Sequence, residues 1–353
     1  LLENAGVIAE SSEKDLIFLL GAGASVDAGM PTVAQLTKEL KARLPELRDI
    51  NDKCCPEFVQ IFDLIESHDK SVGTNYERFF EWIKLLADVQ KDPFQRLIEI
   101  KGDPSSIKAI NMAGPLTFVI GGEIARLLEL HKTEPNYLAR MGDFLPSQGR
   151  LKVFTLNYDC CLEDACHNAG IDLTTGFDPS TKKWNPSLFQ RKSKGINLYK
   201  LHGSLRWFGT RDESLANDEF QHDLVLMELE QGAHQYLPSN INVTQRPVLV
   251  LGPGSKVQPD DPFLTLLYEF QHSLHHAKVC VILGYSHRDD HINKMLGQAF
   301  DRGLSILDVN LGQSVNNRYL GDRYHHVQLC VKSALINGNI NSELAKLASA
   351  YNA

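Results

Sequence analysis

The apolar run Leu16-Ile-Phe-Leu-Leu20 leads directly into Gly21-Ala-Gly-Ala-Ser25, and that junction constrains the fold more than any other part of the chain. A short unbroken apolar run bounded by glycine reads as a strand buried on both faces, which is what a parallel sheet covered by helices requires. Runs of the same kind recur at Val153–Leu156, Leu198–Leu201, Val248–Leu251, Val279–Leu283 and Ser305–Val309. Most of them end in Gly, Asn, His or Asp. Ligands of open α/β sheets bind beyond the carboxyl ends of the strands, so this polar punctuation is where chemistry is to be sought.

The stretch between the first two runs has a different period. Phe58, Ile61, Phe62 and Ile65, then Phe79, Phe80, Ile83 and Leu86, then Ile120, Ile124, Leu127 and Leu128 recur at spacings of three and four, the pattern of helices with one core-facing stripe. Asn75-Tyr76-Glu77 suits the start of the second helix, with Asn as cap and an acid in the first turn. The chain therefore reads as an α/β protein. A Rossmann-like parallel sheet is expected from residues 1–34 and 151–353, with an inserted helical subdomain at 35–150. A length of 353 residues accommodates both.

Bulk chemistry narrows the function classes. The 36 Lys and Arg against 44 Asp and Glu leave a formal charge of −8, which gives no general attraction to phosphate backbones or anionic lipid. The basic cluster Arg191, Lys192 and Lys194, with Lys182 and Lys183 nearby, reads as a solvated loop face, so no direct nucleic-acid contact is expected. The run Leu16–Leu20 is far too short to span a bilayer and follows no charged-then-apolar leader, which points to a cytoplasmic protein. The first residue is Leu rather than Met, as in a trimmed piece of a longer chain. Seven cysteines, with no Cys-x-x-Cys pair among them, suit reduced and mostly buried thiols and allow no four-cysteine zinc ribbon.

Five segments carry candidate chemistry. In Gly21-Ala22-Gly23-Ala24-Ser25, glycines at a strand-to-helix turn let backbone N–H groups approach a pyrophosphate. The segment lacks the third dinucleotide glycine and the Lys-Ser/Thr of a P-loop, so a purely structural turn stays open beside that reading. In Thr155-Leu-Asn157-Tyr158-Asp159, the amide and the carboxylate can bind a sugar hydroxyl, an amide or a water, or simply cap the following helix. In Lys200-Leu-His202-Gly203-Ser204, an imidazole at a strand end beside glycine suits a general base, against the alternative of a structural histidine. Gly284-Tyr285-Ser286 can hold phosphate or ribose, with Asp289 as a helix cap. Asp308-Val309-Asn310 places an amide either on a ribose hydroxyl or at the start of a loop. His287 with His291, and His272 with His275 and His276, have helical spacing for a metal but no matching Glu or Cys set, so no metal is expected. Gly252-Pro-Gly-Ser-Lys256 lacks the spacer of a phosphate loop and reads as a strand end.

In this order the five segments resemble the sirtuin-like (silent information regulator) family. The matching pattern is Gly-Ala-Gly-x-Ser with Gly29-Met30-Pro31, Thr-x-Asn-x-Asp, His-Gly, Gly-x-Ser, and a strand ending in Asn. The resemblance implies an NAD-binding fold in which Gly21, Ala22, Gly23 and Ser25 cradle the pyrophosphate. It places Gly284 and Ser286 at phosphate and ribose, Asn310 on the adenosine side, and Asp159 near the nicotinamide carboxamide. Asn157 and His202 become the catalytic pair. Protein-deacylating sirtuins carry a zinc ribbon and an Asp-Phe-Arg after Gly-Ile-Pro; this chain has neither, and Pro31 is followed by Thr32-Val33-Ala34. Thr-x-Asn-Tyr-Asp, Lys-Leu-His-Gly-Ser and Gly-Tyr-Ser-x-x-Asp-x-x-Ile-Asn look more like the branch found in bacterial anti-phage systems, whose members resemble NAD glycohydrolases.

The expected function is thus cleavage of NAD⁺ to nicotinamide and ADP-ribose by an NAD-depleting effector of anti-phage defence. NAD serves as substrate, and no metal is expected. NAD-dependent deacylation or ADP-ribosyl transfer is the alternative reaction, and a non-catalytic NAD or nucleotide sensor is the alternative class. The family analogy implies a homo-oligomer and a partner such as an ATPase, an Argonaute-like protein or a signal-binding protein.

Overall fold

A computed structural model describes residues 16–49, 53–89, 111–212, 225–229, 241–252, 261–312, 315, 319 and 321–351. The chain divides into two compact units. One comprises Leu1–Met30, Thr133–Val248 and Val257–Ala353, and the other Pro31–Lys132 and Leu249–Lys256.

The first unit is an α/β layer. Its strands are β1 (Leu16–Leu20), β2 (Arg150–Thr155), β3 (Leu173–Thr174), β4 (Gly195–Lys200), β8 (Val279–Leu283), β9 (Ser305–Val309) and β10 (Tyr324–Val327). Among the described residues they form a seven-stranded sheet in the order β10-β9-β8-β1-β2-β4-β3, with every neighbouring pair parallel. Every residue of β1, β4 and β9 is buried, which is why these strands show no apolar-polar alternation. Phe154 of β2 stacks on Tyr199 of β4, with centroids 4.7 Å apart, and packs at a tilt on Phe270 at 4.9 Å. Arg150 is wholly buried at the start of β2, and its guanidinium donates to Asn197 Oδ1, Asp172 and Ser193.

Helices follow the strands: α1 (Gly23–Val26), α6 (Cys161–Ala169), α7 (Phe263–His276), α8 (Asp290–Asp301), α9 (Val331–Ile336) and α10 (Asn339–Tyr351). The 3₁₀ segment Asn136–Phe144 belongs to this unit. Phe144 packs on Phe18 at 5.2 Å, and Tyr137 Oη donates to Ala24 O.

A second sheet, three-stranded among the described residues, has the order β6-β5-β7, with β5 at Gly203–Asp212, β6 at Val225–Glu228 and β7 at Ile241–Leu249. This corrects the expectation for Val248–Leu251. That run ends β7 and is not part of the parallel sheet, because an apolar run specifies burial but not which sheet receives it. Residues 253–256 of the glycine-containing segment that follows lie outside the described residues.

The second unit is helical: α2 (Val33–Arg43), α3 (Glu57–His68), α4 (Tyr76–Val89) and α5 (Ala113–Leu130). Phe58, Ile61, Phe62 and Ile65 are buried on α3, and Ile120, Ile124, Leu127 and Leu128 on α5. Phe62 meets Phe79 of α4 at 4.7 Å. Asn75 Oδ1 accepts from the N–H groups of Glu77 and Arg78 at 3.1 and 3.3 Å, the cap its position implied. No described helix is long and apolar enough to cross a membrane. The seven cysteines are all free thiols.

Candidate active site

The carboxyl ends of β9, β8, β1, β2 and β4 are consecutive across the parallel sheet, and each carries one of the five candidate segments. The turns after β1 and β8 interlock. Gly21 N–H donates to Leu283 O and Gly23 N–H to Gly284 O, at 2.9 and 2.8 Å. A β-carbon on Gly21 would lie 2.5 Å from Tyr285 Cα. Gly284 has φ +65°, and a β-carbon there would overlap the Ala24 nitrogen. Glycine is therefore required on both sides of one backbone-to-backbone contact. The N–H groups of Gly21 and Gly23 are committed to this joint, whereas Ala22 and Ser286 are exposed beside it.

Next along the edge, the segment after β2 folds onto the β1 turn. Asn157 is 8% exposed, and its Nδ2 donates to Gly21 O at 3.0 Å and to Ser25 Oγ at 3.1 Å. Ser25 Oγ donates in turn to Asp159 Oδ1 at 3.1 Å. The same carboxylate oxygen accepts from Cys161 N–H at 3.0 Å, so Asp159 also caps the start of α6. Asn157, Ser25 and Asp159 thus form one hydrogen-bonded group drawn from two distant parts of the sequence. With its amide nitrogen engaged, Asn157 presents Oδ1 as its remaining acceptor.

His202 is 2% exposed at the end of β4. Register pairs Thr155 with Lys200, and Leu201 N–H donates to Thr155 O at 2.9 Å, so Asn157 and His202 each lie two residues beyond the last register pair of the adjacent strands β2 and β4. Its ring lies 5.8 Å from that of His291, in the first turn of α8.

Beneath this group, Lys200 has a side chain that is 0% exposed. Its Nζ donates to Asp159 O at 2.5 Å and to Glu163 Oε1 at 2.7 Å. Burial opposes that charge, but Glu163, with Cys160 and Asp159, outweighs it and holds the ammonium above the usual lysine range. Lys200 thereby fixes the backbone of the segment that carries Asn157 and Asp159. Sequence reading missed this role, although a lysine inside the otherwise uncharged run Ile196–Leu201 was the available signal.

On the other side, Gly284 N–H donates to Val309 O at 2.9 Å, and Asn310 Nδ2 to Tyr285 O at 2.5 Å. Asn310 Oδ1 accepts from Gly312 N–H at 3.0 Å. Asn310 therefore binds the end of β9 to the β8 turn, and keeps one amide hydrogen and one lone pair beyond these bonds. Tyr285 Oη donates to Asn293 Oδ1 and accepts from Asp289 N–H, both at 3.1 Å. His287 has φ 55° and bonds through Nε2 to the buried Asp308 at 3.0 Å. His287 and His291 do not meet: one faces Asp308, the other His202. No group of three or more His, Cys, Asp or Glu suited to a metal ion occurs among the described residues.

Solved structures that align with the chain include a Sir2 homologue–NAD complex, at 16% identity and TM-score 0.43, covering 98% of this chain and 93% of that one. Another is a sirtuin from a study of substrate affinity, at 13% identity and TM-score 0.44, covering 96% and 97%. A third is Sir2Tm bound to a propionylated peptide, at 12% identity and TM-score 0.42, covering 96% and 98%. No curated protein matches. Residues 151–305, the stretch that carries Asn157, Asp159, His202, Gly284 and Ser286, match the sequence model described as a SIR2-like domain.

Proposed function

We propose that this protein is an NAD⁺ glycohydrolase, converting NAD⁺ and water to nicotinamide, ADP-ribose and a proton, with Asn157 and His202 as the reacting pair. The observation that carries this reading is the hydrogen-bonded group Asn157–Ser25–Asp159 at the carboxyl edge of the sheet, with His202 buried just beyond the end of β4, the strand that pairs with β2. Nicotinamide leaves as a neutral molecule from a cationic ring, so it needs no protonation. The work left to the protein is to stabilise an oxocarbenium-like ribose and to aim a nucleophile at it. Asn157 Oδ1 accepts a hydrogen bond from the attacking water and orients it, while His202 takes a proton from that water or from a ribose hydroxyl.

The donor set fits a dinucleotide. Gly21 and Gly23 hold the two turns together, the exposed Ala22 N–H and Ser286 hydroxyl meet the phosphates, and Asn310 turns its remaining amide hydrogen to the adenosine ribose. Asp159, with one oxygen engaged by Ser25 and Cys161, offers the other to the nicotinamide carboxamide. The segments 1–34 and 151–353 supply this site in the same reading. The biological role is NAD⁺ depletion in anti-phage defence, by a homo-oligomer working with a sensing partner in the cytoplasm.

The test is incubation of the purified chain with NAD⁺, with chromatography of the products. Free ADP-ribose and nicotinamide are expected, and Asn157→Ala and His202→Ala each lower turnover by about 10²–10⁴-fold. O-acyl-ADP-ribose or labelled protein reassigns the reaction to acyl or ADP-ribosyl transfer. NAD⁺ binding without nicotinamide release identifies a sensor.

A further inference from the structure

A cavity of about 200 Å³ opens where β3 ends, between α6, the turn Phe177–Lys182 and strands β5 and β6. Of the residues placed at the candidate active site it shares only Glu163, and it takes in Lys182 and Arg191 of the basic cluster. Its charged groups are Glu163, Asp178, Lys182, Arg191, Arg206 and Glu228, and most are already matched. Glu163 is paired with Lys200 at 2.7 Å and Arg206 with Asp164 at 2.8 Å. Asp178 accepts from the N–H groups of Ser180 and Thr181 within its own turn. Glu228 accepts from Thr175 Oγ1 at 2.6 Å and Trp207 Nε1 at 3.1 Å. Burial raises the Glu228 carboxyl above its usual value, against the hydrogen bonds from Thr175 and Trp207 that lower it.

Two cations remain. Lys182, half-buried, and Arg191, exposed, line the cavity and form no ion pair within 4 Å among the described residues, although the Arg191 charge also acts on the Asp172 carboxylate. Lys182 is not on a loose loop: its N–H donates to Asp178 O at 2.8 Å and its carbonyl accepts from Glu228 N–H at 2.9 Å, with φ at 61°. The lysine is thereby tied to β6, and a positive φ at a non-glycine residue persists only where its surroundings impose it.

We propose that this cavity is a binding site for a small anion, a carboxylate or a phosphate, held by Lys182 and Arg191 at the mouth. Size sets the class. About 200 Å³ is the room of roughly seven waters at about 30 Å³ each, below the ~300–1,000 Å³ of pockets for drug-sized ligands. A whole dinucleotide does not fit, whereas inorganic phosphate or a short dicarboxylate does. Guanidinium with ammonium matches the oxygens of either head group.

The proposal does not depend on the glycohydrolase reading, and its test reads binding alone. The full chain is titrated calorimetrically with inorganic phosphate and, separately, with malonate, at constant ionic strength. Saturable binding tighter than about 1 mM to at least one probe is expected. Lys182→Ala and Arg191→Ala each weaken it about tenfold or more, with far-UV circular dichroism and thermal midpoint unchanged. Binding of one probe only assigns the site to that head group. Failure of both probes to saturate, or equal binding by the Lys182→Ala/Arg191→Ala double variant, overturns the proposal.

Discussion

Replacing Lys200 by methionine keeps the length of the side chain and removes its charge. The wild-type ammonium is fully buried, and its partner Glu163 is only 11% exposed. The substitution would leave the Glu163 carboxylate without its hydrogen-bonded counter-ion, with only the Coulombic attraction of Arg206 remaining, and Asp159 O without its donor. Removal of one member of a buried pair costs about 3–5 kcal/mol, and the lost hydrogen bond falls within that total because the same Nζ makes both contacts. Lys200→Met/Glu163→Gln removes both charges, and should regain most of the loss and stand within about 2 kcal/mol of wild type.

Urea unfolding followed by Trp184 and Trp207 fluorescence measures both variants, since these indoles lie in the same unit as Lys200. The pH dependence follows from the raised folded pKa. The contribution of Lys200 is fully present below the unfolded lysine value of about 10.4 and declines as pH rises beyond it toward the folded value. The advantage of wild type over Lys200→Met should therefore be flat from about pH 7 to 10 and shrink above. A loss below about 1 kcal/mol for Lys200→Met, or a double variant as unstable as the single one, would refute the view that this pair anchors the Asn157–Asp159 segment.

Gly284→Ala should destabilise the protein by at least about 3 kcal/mol, since alanine would have to adopt φ +65° and overlap the Ala24 nitrogen; a thermal midpoint within a degree or two of wild type contradicts the interlocked turns. Glu228→Gln should lessen the fall in stability with rising pH. The raised folded pKa of Glu228 means that its contribution is present below the unfolded value of about 4.3 and is lost as pH rises through the folded value, so the denaturation midpoints of wild type and variant should diverge as pH rises from about 4 through that folded value. These stand beside the turnover losses expected for Asn157→Ala and His202→Ala and the anion titration described above.

The sheet was largely legible in the sequence because its strands are buried on both faces. Leu16–Leu20, Val279–Leu283 and Ser305–Val309 coincide with β1, β8 and β9, and the β2 and β4 runs differ only at their ends. The antiparallel strands were less so, since Gly203–Asp212 mixes charged, aromatic and small residues with no single period. At the site, strand-end punctuation picked out segments that the sheet brings to one edge. It did not reveal that Gly21 and Gly23 hold another turn, nor that Ser25 bridges Asn157 and Asp159, because those bonds join residues more than a hundred positions apart. The i, i+4 spacing of His287 and His291 has no helix behind it: α8 begins at Asp290, so His287 precedes the helix and has no place on its face.

The contact between Gly21 and Gly284 also bears on how this architecture changes over evolutionary time. Each turn is the mould of the other, so neither has room to drift alone: a bulkier residue on one side is tolerated only if the opposite backbone withdraws in step. Chimeras that import one of the two loops from a relative should misassemble where those importing both succeed, making the pair, rather than either segment, the heritable part.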